Sequence, residues 1–144
     1  DLTSKKKLAT VGELEGHKDV IRSCTISPDG KRIATGSDDR NVALWETERF
    51  YQVNKMKVRF SLSWIVDMEF SSDSEILVAV SDRIKFWSAA NGDPLRTVHL
   101  AGAFTKYIRT DPLFSTFATI DDKGVPYLLE AVFADDAAEV DMEP

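Results

Sequence analysis

The sequence predicts an all-β fold built from a repeated antiparallel meander, and three observations carry that prediction. Short runs of β-branched and aromatic residues alternate with turn dipeptides along the 144 residues. No segment keeps apolar residues at i, i+3, i+4 and i+7, the spacing an amphipathic helix requires. The runs also return in the same order: Trp45 and Trp87 lie 42 residues apart, and Leu128 follows 41 later. A period of about 40 to 45 residues is that of a four-stranded propeller blade.

Taken in order, Leu8–Leu14 reads as the outer strand of a preceding blade, so residues 1–14 form a leading segment. The first blade occupies 15–60. Val20–Ser27 is a strand, Pro28-Asp29-Gly30 a tight turn and Arg32–Gly36 a second strand. Ser37–Asn41 turns into a third strand, Val42–Glu46, and Tyr51–Val58 supplies a fourth. The second blade, 61–102, repeats this as WIVDMEFSSDSEILVAVSDRIKFW (Trp64–Trp87), with Asn91–Pro94 turning into Leu95–Leu100. The third, 103–133, begins YIRTDPLFSTFATIDDKGVPYLLE (Tyr107–Glu130), and residues 134–144 are an acidic disordered tail.

The expected core is Val66, Met68, Phe70, Ile76, Val78, Ile84 and Phe86 in the second blade, and Ile108, Phe117, Ile120 and Leu128 in the third. Cys24, on the first strand beside Ile26, is expected to be a buried, inert thiol. A closed propeller takes about four to eight blades. The chain is therefore expected to be the C-terminal portion of a larger ring, a partial propeller of three four-stranded blades plus one leading outer strand. The remaining blades would lie upstream or on another chain, since open sheet edges invite aggregation.

Composition bounds the function. With 43% hydrophobic and 29% charged residues the chain is ordinary globular material. One cysteine forms no internal disulfide and points to a reducing compartment. There is no apolar run long enough to span a bilayer, and LATVGELEGH after Lys5–Lys7 is too polar for a signal peptide. Of the net charge of −6, the stretch Ala134–Pro144 contributes −5, leaving −1 for everything before it. No basic stripe exists for nucleic acid. The two histidines, His17 and His99, fall in different blades, and no Cys/His cluster has metal spacing. The residues therefore point away from an enzyme and toward protein binding, with no membrane or nucleic-acid partner.

Gly16-His17, SPDG (Ser27–Gly30), ATGSDD (Ala34–Asp39) and LWE (Leu44–Glu46) resemble the WD-repeat signature, whose closing Trp-Asp stands here as Trp45-Glu46. The resemblance implies a structural tetrad of His17, Thr35, Asp39 and Trp45, with Ser37 close to the Thr35 position. The later blades depart from it: Leu62-Ser63 replaces Gly-His in the second, and the third lacks both His and Trp. Those two blades resemble the final two blades of the apoptotic protease-activating factor family. They share its tryptophan-led first strand, its IK-aromatic-Trp third strand and a last blade closing on a leucine pair and Glu. The acidic extension is similar to that of an insect-type member.

That resemblance implies an apoptosome scaffold with a caspase-recruitment domain, a nucleotide-binding oligomerisation module and a helical arm ahead of two propellers. ATP, ADP or dATP would sit on the upstream module, because no GxxxxGK[ST] occurs in these 144 residues and no cofactor is expected on them. The implied partners are the rest of its own propeller, the nucleotide-binding core and, through the full-length protein, an initiator caspase. The implied location is the cytoplasm. Vertebrate members bind cytochrome c, a basic protein, at the rim formed by the turns between second and third strands. Here those turns carry the candidate docking residues Asp38, Asp82, Asp121 and Asp122. Turns also favour Asp for backbone hydrogen bonding alone, and an insect-type member is less expected to need cytochrome c. In the tail, Ala138-Glu139-Val140-Asp141 fits a caspase substrate cut after Asp141, against the plainer reading of a solvated tail. The rival function is a generic WD-repeat scaffold such as a ubiquitin-ligase substrate receptor. Thr47-Glu48 after Trp45-Glu46, where such receptors often carry Arg, counts against it.

Overall fold

In the computed structural model, which describes residues 15–57, 64–98 and 105–130, eleven strands form three antiparallel meander sheets. Sheet one contains β1 (Ile21–Ile26), β2 (Arg32–Ser37), β3 (Asn41–Glu46) and β4 (Gln52–Lys57) in that order. Sheet two contains β5 (Asp67–Phe70), β6 (Ile76–Val80), β7 (Ile84–Ser88) and β8 (Pro94–Val98). Sheet three shows β9 (Thr105–Thr110), β10 (Thr116–Asp121) and β11 (Pro126–Glu130) among the described residues. The expected all-β meander is what is found. The readings on residues 1–14, on Leu62-Ser63 and on the tail lie outside the described residues.

The same local chemistry turns β1 into β2 and β5 into β6. Ser27 Oγ donates to Asp29 Oδ1 (2.6 Å) and accepts from the Arg32 N–H (2.9 Å), while Asp29 Oδ1 accepts from the Lys31 N–H (2.9 Å). Ser71, Asp73, Ile76 and Glu75 repeat these three bonds in the same order at 2.5, 2.9 and 3.0 Å. In sheet three a single carboxylate does both jobs: Asp111 Oδ1 accepts from the N–H groups of Ser115 (2.7 Å) and Thr116 (2.6 Å). Each turn needs one residue in the left-handed region, filled by Gly30 (φ 72°), Ser74 (φ 65°) and Phe114 (φ 59°). Glycine adopts it freely, whereas a side chain there costs about 1–2 kcal/mol. Ser74 offsets the cost by accepting the Asp29 N–H across the sheet boundary (3.0 Å). Phe114 offsets it by dropping its ring between Phe86 (6.2 Å) and Phe117 (5.1 Å), both edge-on.

The leading strands β1, β5 and β9 lie side by side, so the three sheets fan from one axis. Backbone bonds repeat across both boundaries: Ile65 N–H to the Ser37 carbonyl (3.4 Å) and Thr105 N–H to the Ser81 carbonyl (3.3 Å). Gly36 faces the first boundary, where a Cβ would lie 2.4 Å from an Ile65 methyl. Between sheets one and two, Ala34, Val42 and Leu44 pack with Ile65, Met68, Phe70, Leu77 and Trp87. Between sheets two and three, Val78, Val80 and Ile84 pack with Ile108, Phe114 and Phe117, and Ile76, Phe86 and Leu129 border them. Full burial of one such side chain is worth about 1.5–3 kcal/mol, so these two seams hold the stack together.

Three expectations are corrected. Cys24 is exposed, because it lies on the face of β1 that turns away from sheet two, opposite Thr35. Such desolvation as it feels raises its pKa, which keeps it a thiol. Ile120 and Leu128 are 40% and 70% exposed, on the far face of sheet three. The reason lies in register. Trp45 pairs with Ile33 and Trp87 with Leu77, and the matching partner of Phe117 is Leu129. Leu128 is therefore one residue out of phase with the tryptophans, and a slip of one residue moves a side chain to the opposite face.

Phe114 separates packing from backbone strain. Phe114→Ala is expected to lower urea-unfolding stability by about 3 kcal/mol. Phe114→Gly, although smaller still, is expected to lose about 1 kcal/mol less, because the left-handed backbone costs it nothing.

Candidate functional site

The polar centre of sheet one is built from its loop, two strands and a turn. Gly16 brings the chain onto the Trp45 ring; a Cβ there would sit 2.9 Å from that ring and 2.7 Å from Gln52 Oε1. His17 is thereby set above β2, its side chain 2% exposed. Trp45 Nε1–H donates to Thr35 Oγ1 (2.8 Å). His17 Nε2 lies 2.7 Å from the same oxygen, and His17 Nδ1 lies 2.9 Å from Asp39 Oδ2. The indole can only donate and the carboxylate can only accept, which sets the direction of the rest. The Thr35 hydroxyl donates to Nε2, and the Nδ1–H of the imidazole donates to Asp39.

Asp39 closes the relay. Burial alone would raise its pKa, but the Lys18 N–H (3.0 Å), His17 and the Asn41 N–H (2.9 Å) outweigh that and lower it to about 2. Every polar atom of the relay is engaged, and no hydroxyl or thiol in it is activated toward a substrate. Its chemistry is that of a fastener joining the Gly16-His17 loop, β2, β3 and the rim turn.

Register explains why sheets two and three lack it. Ala79 takes the place of Thr35, since each lies two residues beyond the partner of the tryptophan. The turn between β6 and β7 is Ser81–Arg83, two residues shorter than Ser37–Asn41, and that deletion removes the Asp39 position. In sheet three the turn has full length, but Lys123 falls where Asp39 does and Leu129 where Trp45 does.

The rim acids are placed as follows. Asp38, its side chain 9% exposed, takes two bonds from Arg22 (2.5 and 2.8 Å). Asp82 accepts from Ser81 Oγ (3.0 Å) and lies 4.0 Å from Arg83. Asp121 is buried and accepts from the N–H groups of Val125 (2.8 Å) and Lys123 (2.9 Å) and from the Tyr127 hydroxyl (3.1 Å). Led by the Val125 bond, these hold its pKa below the usual carboxylate range. Asp122 is exposed and alone among the four presents its charge outward. Asp141 lies outside the described residues.

Two clusters escaped the sequence reading. The Arg22 guanidinium sits 4.2 Å from the centre of the half-exposed Trp64 ring, a cation–π contact across sheets. Asp67 Oδ2 accepts from the Ile108 N–H (3.0 Å) and from Arg109 Nη1 (2.7 Å), tying β5 to β9. Both depend on which strands are neighbours, and adjacent leading strands in successive repeats would have been the signal. Among the described residues no group of three His, Cys, Asp or Glu could hold a metal ion, and no helix is long and apolar enough to cross a membrane.

Meander sheets fanned about an axis, with a Trp-Thr-His-Asp relay fastening one of them, have the features of WD repeats, a class whose members are generally non-catalytic protein-interaction modules. The model of the WD domain, G-beta repeat, matches residues 8–46. Human apoptotic protease-activating factor 1 is 28% identical over 131 residues, covering 87% of this chain and 10% of that protein. Its Danio rerio counterpart is 38% identical over 71 residues, 49% of this chain and 6% of that protein. Protein HIR1 of Yarrowia lipolytica is 31% identical over 136 residues, 81% of this chain and 12% of that protein. The chain thus spans about a tenth of the length of these relatives.

Two measurements check the relay. Thr35→Val leaves the buried indole N–H without an acceptor and the imidazole without a donor, and is expected to cost about 2–3 kcal/mol in urea unfolding. The folded-state pKa of Asp39, about 2, lies below its ordinary 3.8. Its contribution is therefore complete above pH 4 and disappears as pH falls toward 2, on the order of 2 kcal/mol. Calorimetry from pH 5 to pH 2 should show this loss, reduced by that amount in Asp39→Asn.

Proposed function

We propose that this chain is part of the regulatory propeller of an apoptosome scaffold, controlling nucleotide-dependent oligomerisation and initiator caspase activation. The observation that carries the reading is the similarity to apoptotic protease-activating factor 1 across 87% of the chain. The outward faces of sheets one and three support the wedge geometry: Ile26 and Leu128 are 58% and 70% exposed there, whereas their register counterparts Phe70 and Leu44 are buried at the seam between sheets one and two. The sheets would complete a ring with further blades of the same protein, and the ring would hold the nucleotide-binding core closed until a partner releases it. ATP, ADP or dATP belongs on that upstream core, and the whole assembly in the cytoplasm. The acidic extension favours the insect-type relative, the Apaf-related killer Dark, and with Arg22 engaging Asp38 the rim offers little attraction to basic cytochrome c.

The test is a full-length protein lacking this segment. Assembly and caspase activation without the normal trigger are expected, read by sedimentation and peptide cleavage; a truncated protein that stays monomeric and inactive would falsify the reading. A generic WD scaffold is the second reading, favoured by the HIR1 similarity. An F-box or other adaptor upstream, in place of a nucleotide-binding module, would select it.

The AEVD stretch yields a separate expectation. Incubation with an effector caspase should remove the three residues after Asp141, a mass change abolished in Asp141→Ala. An unchanged mass rules out that site.

A further inference from the structure

The turn between β5 and β6 is shaped by Ser71 and Asp73, which bond to each other and accept the N–H groups of Ile76 and Glu75. Ser72 lies between them, and its Oγ–H donates instead to the Pro112 carbonyl in the turn between β9 and β10. Ser74 bonds toward sheet one, where it accepts the Asp29 N–H. The two serines tie the middle turn to its neighbours on both sides, one by a donated proton and one by an accepted one. Among the described residues, Ser72 alone of the serines and threonines is exposed. Asp73 follows it at the next position and Glu75 at the third, and both are exposed. The bond from Ser71, with the Glu75 N–H, lowers the pKa of Asp73 and keeps it charged. Thr35 and Thr119 also have an acid three residues on, Asp38 and Asp122, but both hydroxyl residues are buried.

We propose that Ser72 is a phosphorylation site for a serine/threonine kinase that selects acidic residues after its target, and that the phosphate frees the turn of sheet three from that of sheet two. A substrate cleft lined with basic side chains discriminates by charge pattern, and exposure coincides with acids at both positions at this one hydroxyl. In the transfer, the bond from Ser72 Oγ to the γ-phosphorus of a nucleoside triphosphate forms as the bond from that phosphorus to the bridging oxygen breaks. The hydroxyl proton passes to the base of the kinase, and the nucleoside diphosphate leaves. Without that proton Oγ can no longer donate to the Pro112 carbonyl. The new group carries about two negative charges. No Lys or Arg stands in Ser71–Ile76 or in Asp111–Thr116 to receive it, while Asp73, Glu75 and Asp111 repel it. A phosphate so placed disrupts a contact, where one facing arginines would order it. The effect is one-sided, because the Ser74 bond to Asp29 does not involve Ser72. The site is independent of the assembly proposed above.

The experiment incubates the folded full chain with an acidophilic serine/threonine kinase and magnesium ATP, then maps the product by peptide mass. One added phosphoryl group, about 80 Da, is expected on the peptide holding Ser72. Ser72→Ala should abolish it. Glu75→Gln, which keeps the serine and the turn bond of its own N–H, should slow labelling roughly tenfold, the loss of one charge contact. In the phosphorylated chain, the amides of Phe114, Ser115 and Thr116 should exchange hydrogen roughly two- to tenfold faster, the effect of one lost hydrogen bond. Those of Gly30 and Arg32 should be unchanged. No phosphate on Ser72, labelling only of the urea-unfolded chain, or an unchanged rate in Glu75→Gln overturns the site. Phosphate on Ser72 with unaltered exchange in the turn of sheet three overturns the release.

Discussion

Each sheet of this protein carries apolar side chains on both faces, so a sheet gains its stability only between neighbours. Sheet two shows the constraint in full. Leu77 and Trp87 face one way into sheet one while Val78 and Val80 face the other way into sheet three, and all four are buried. Alternate positions on a strand point to opposite sides, so a run such as Leu77–Val80 is apolar throughout because both sides are dry. Sheets one and three meet that condition on one face each. The backbone bonds from Ile65 to Ser37 and from Thr105 to Ser81 set the pitch of the fan, and everything at its rim inherits its position from them.

Against this background the polar relay is a local substitute for packing. A network buried and fully satisfied is stiffer than the sum of its bonds, and it fastens the incoming loop of sheet one where sheets two and three rely on aromatic contacts. Sheet three takes the alternative furthest, with Phe86, Phe114 and Phe117 arranged edge to face at 5.1–6.2 Å. A strained backbone at Phe114 is what places the central ring of that group. Loss of the motif residues in the later repeats is therefore a change of fastening, with the sheet geometry retained.

The fold was legible because turn chemistry and strand composition are local. SPDG and SSDS announce the same turn, and the strands between turns came out within a residue or two. The four relay residues were legible too, since Gly16-His17, Thr35, Asp39 and Trp45 stand at the spacing of a known repeat. What escaped needed three-dimensional neighbours. The exposure of Cys24 and Ile26 follows from which face of β1 packs against sheet two, and no property of the strand itself reports it. Leu128 was misplaced because aligning a leucine pair to a tryptophan leaves two choices, and only pairing with Phe117 selects Leu129. The rim acids were identified by type, but charge on a page does not reveal that Asp121 turns inward to Tyr127 or that Arg22 reaches Asp38.

The short turn of sheet two also shapes the surface. The connections Ser37–Asn41 and Asp121–Val125 rise on either side of Ser81–Arg83, which stops two residues lower. A partner docking on this rim would therefore meet longer turns on the two outer sheets than on the middle one.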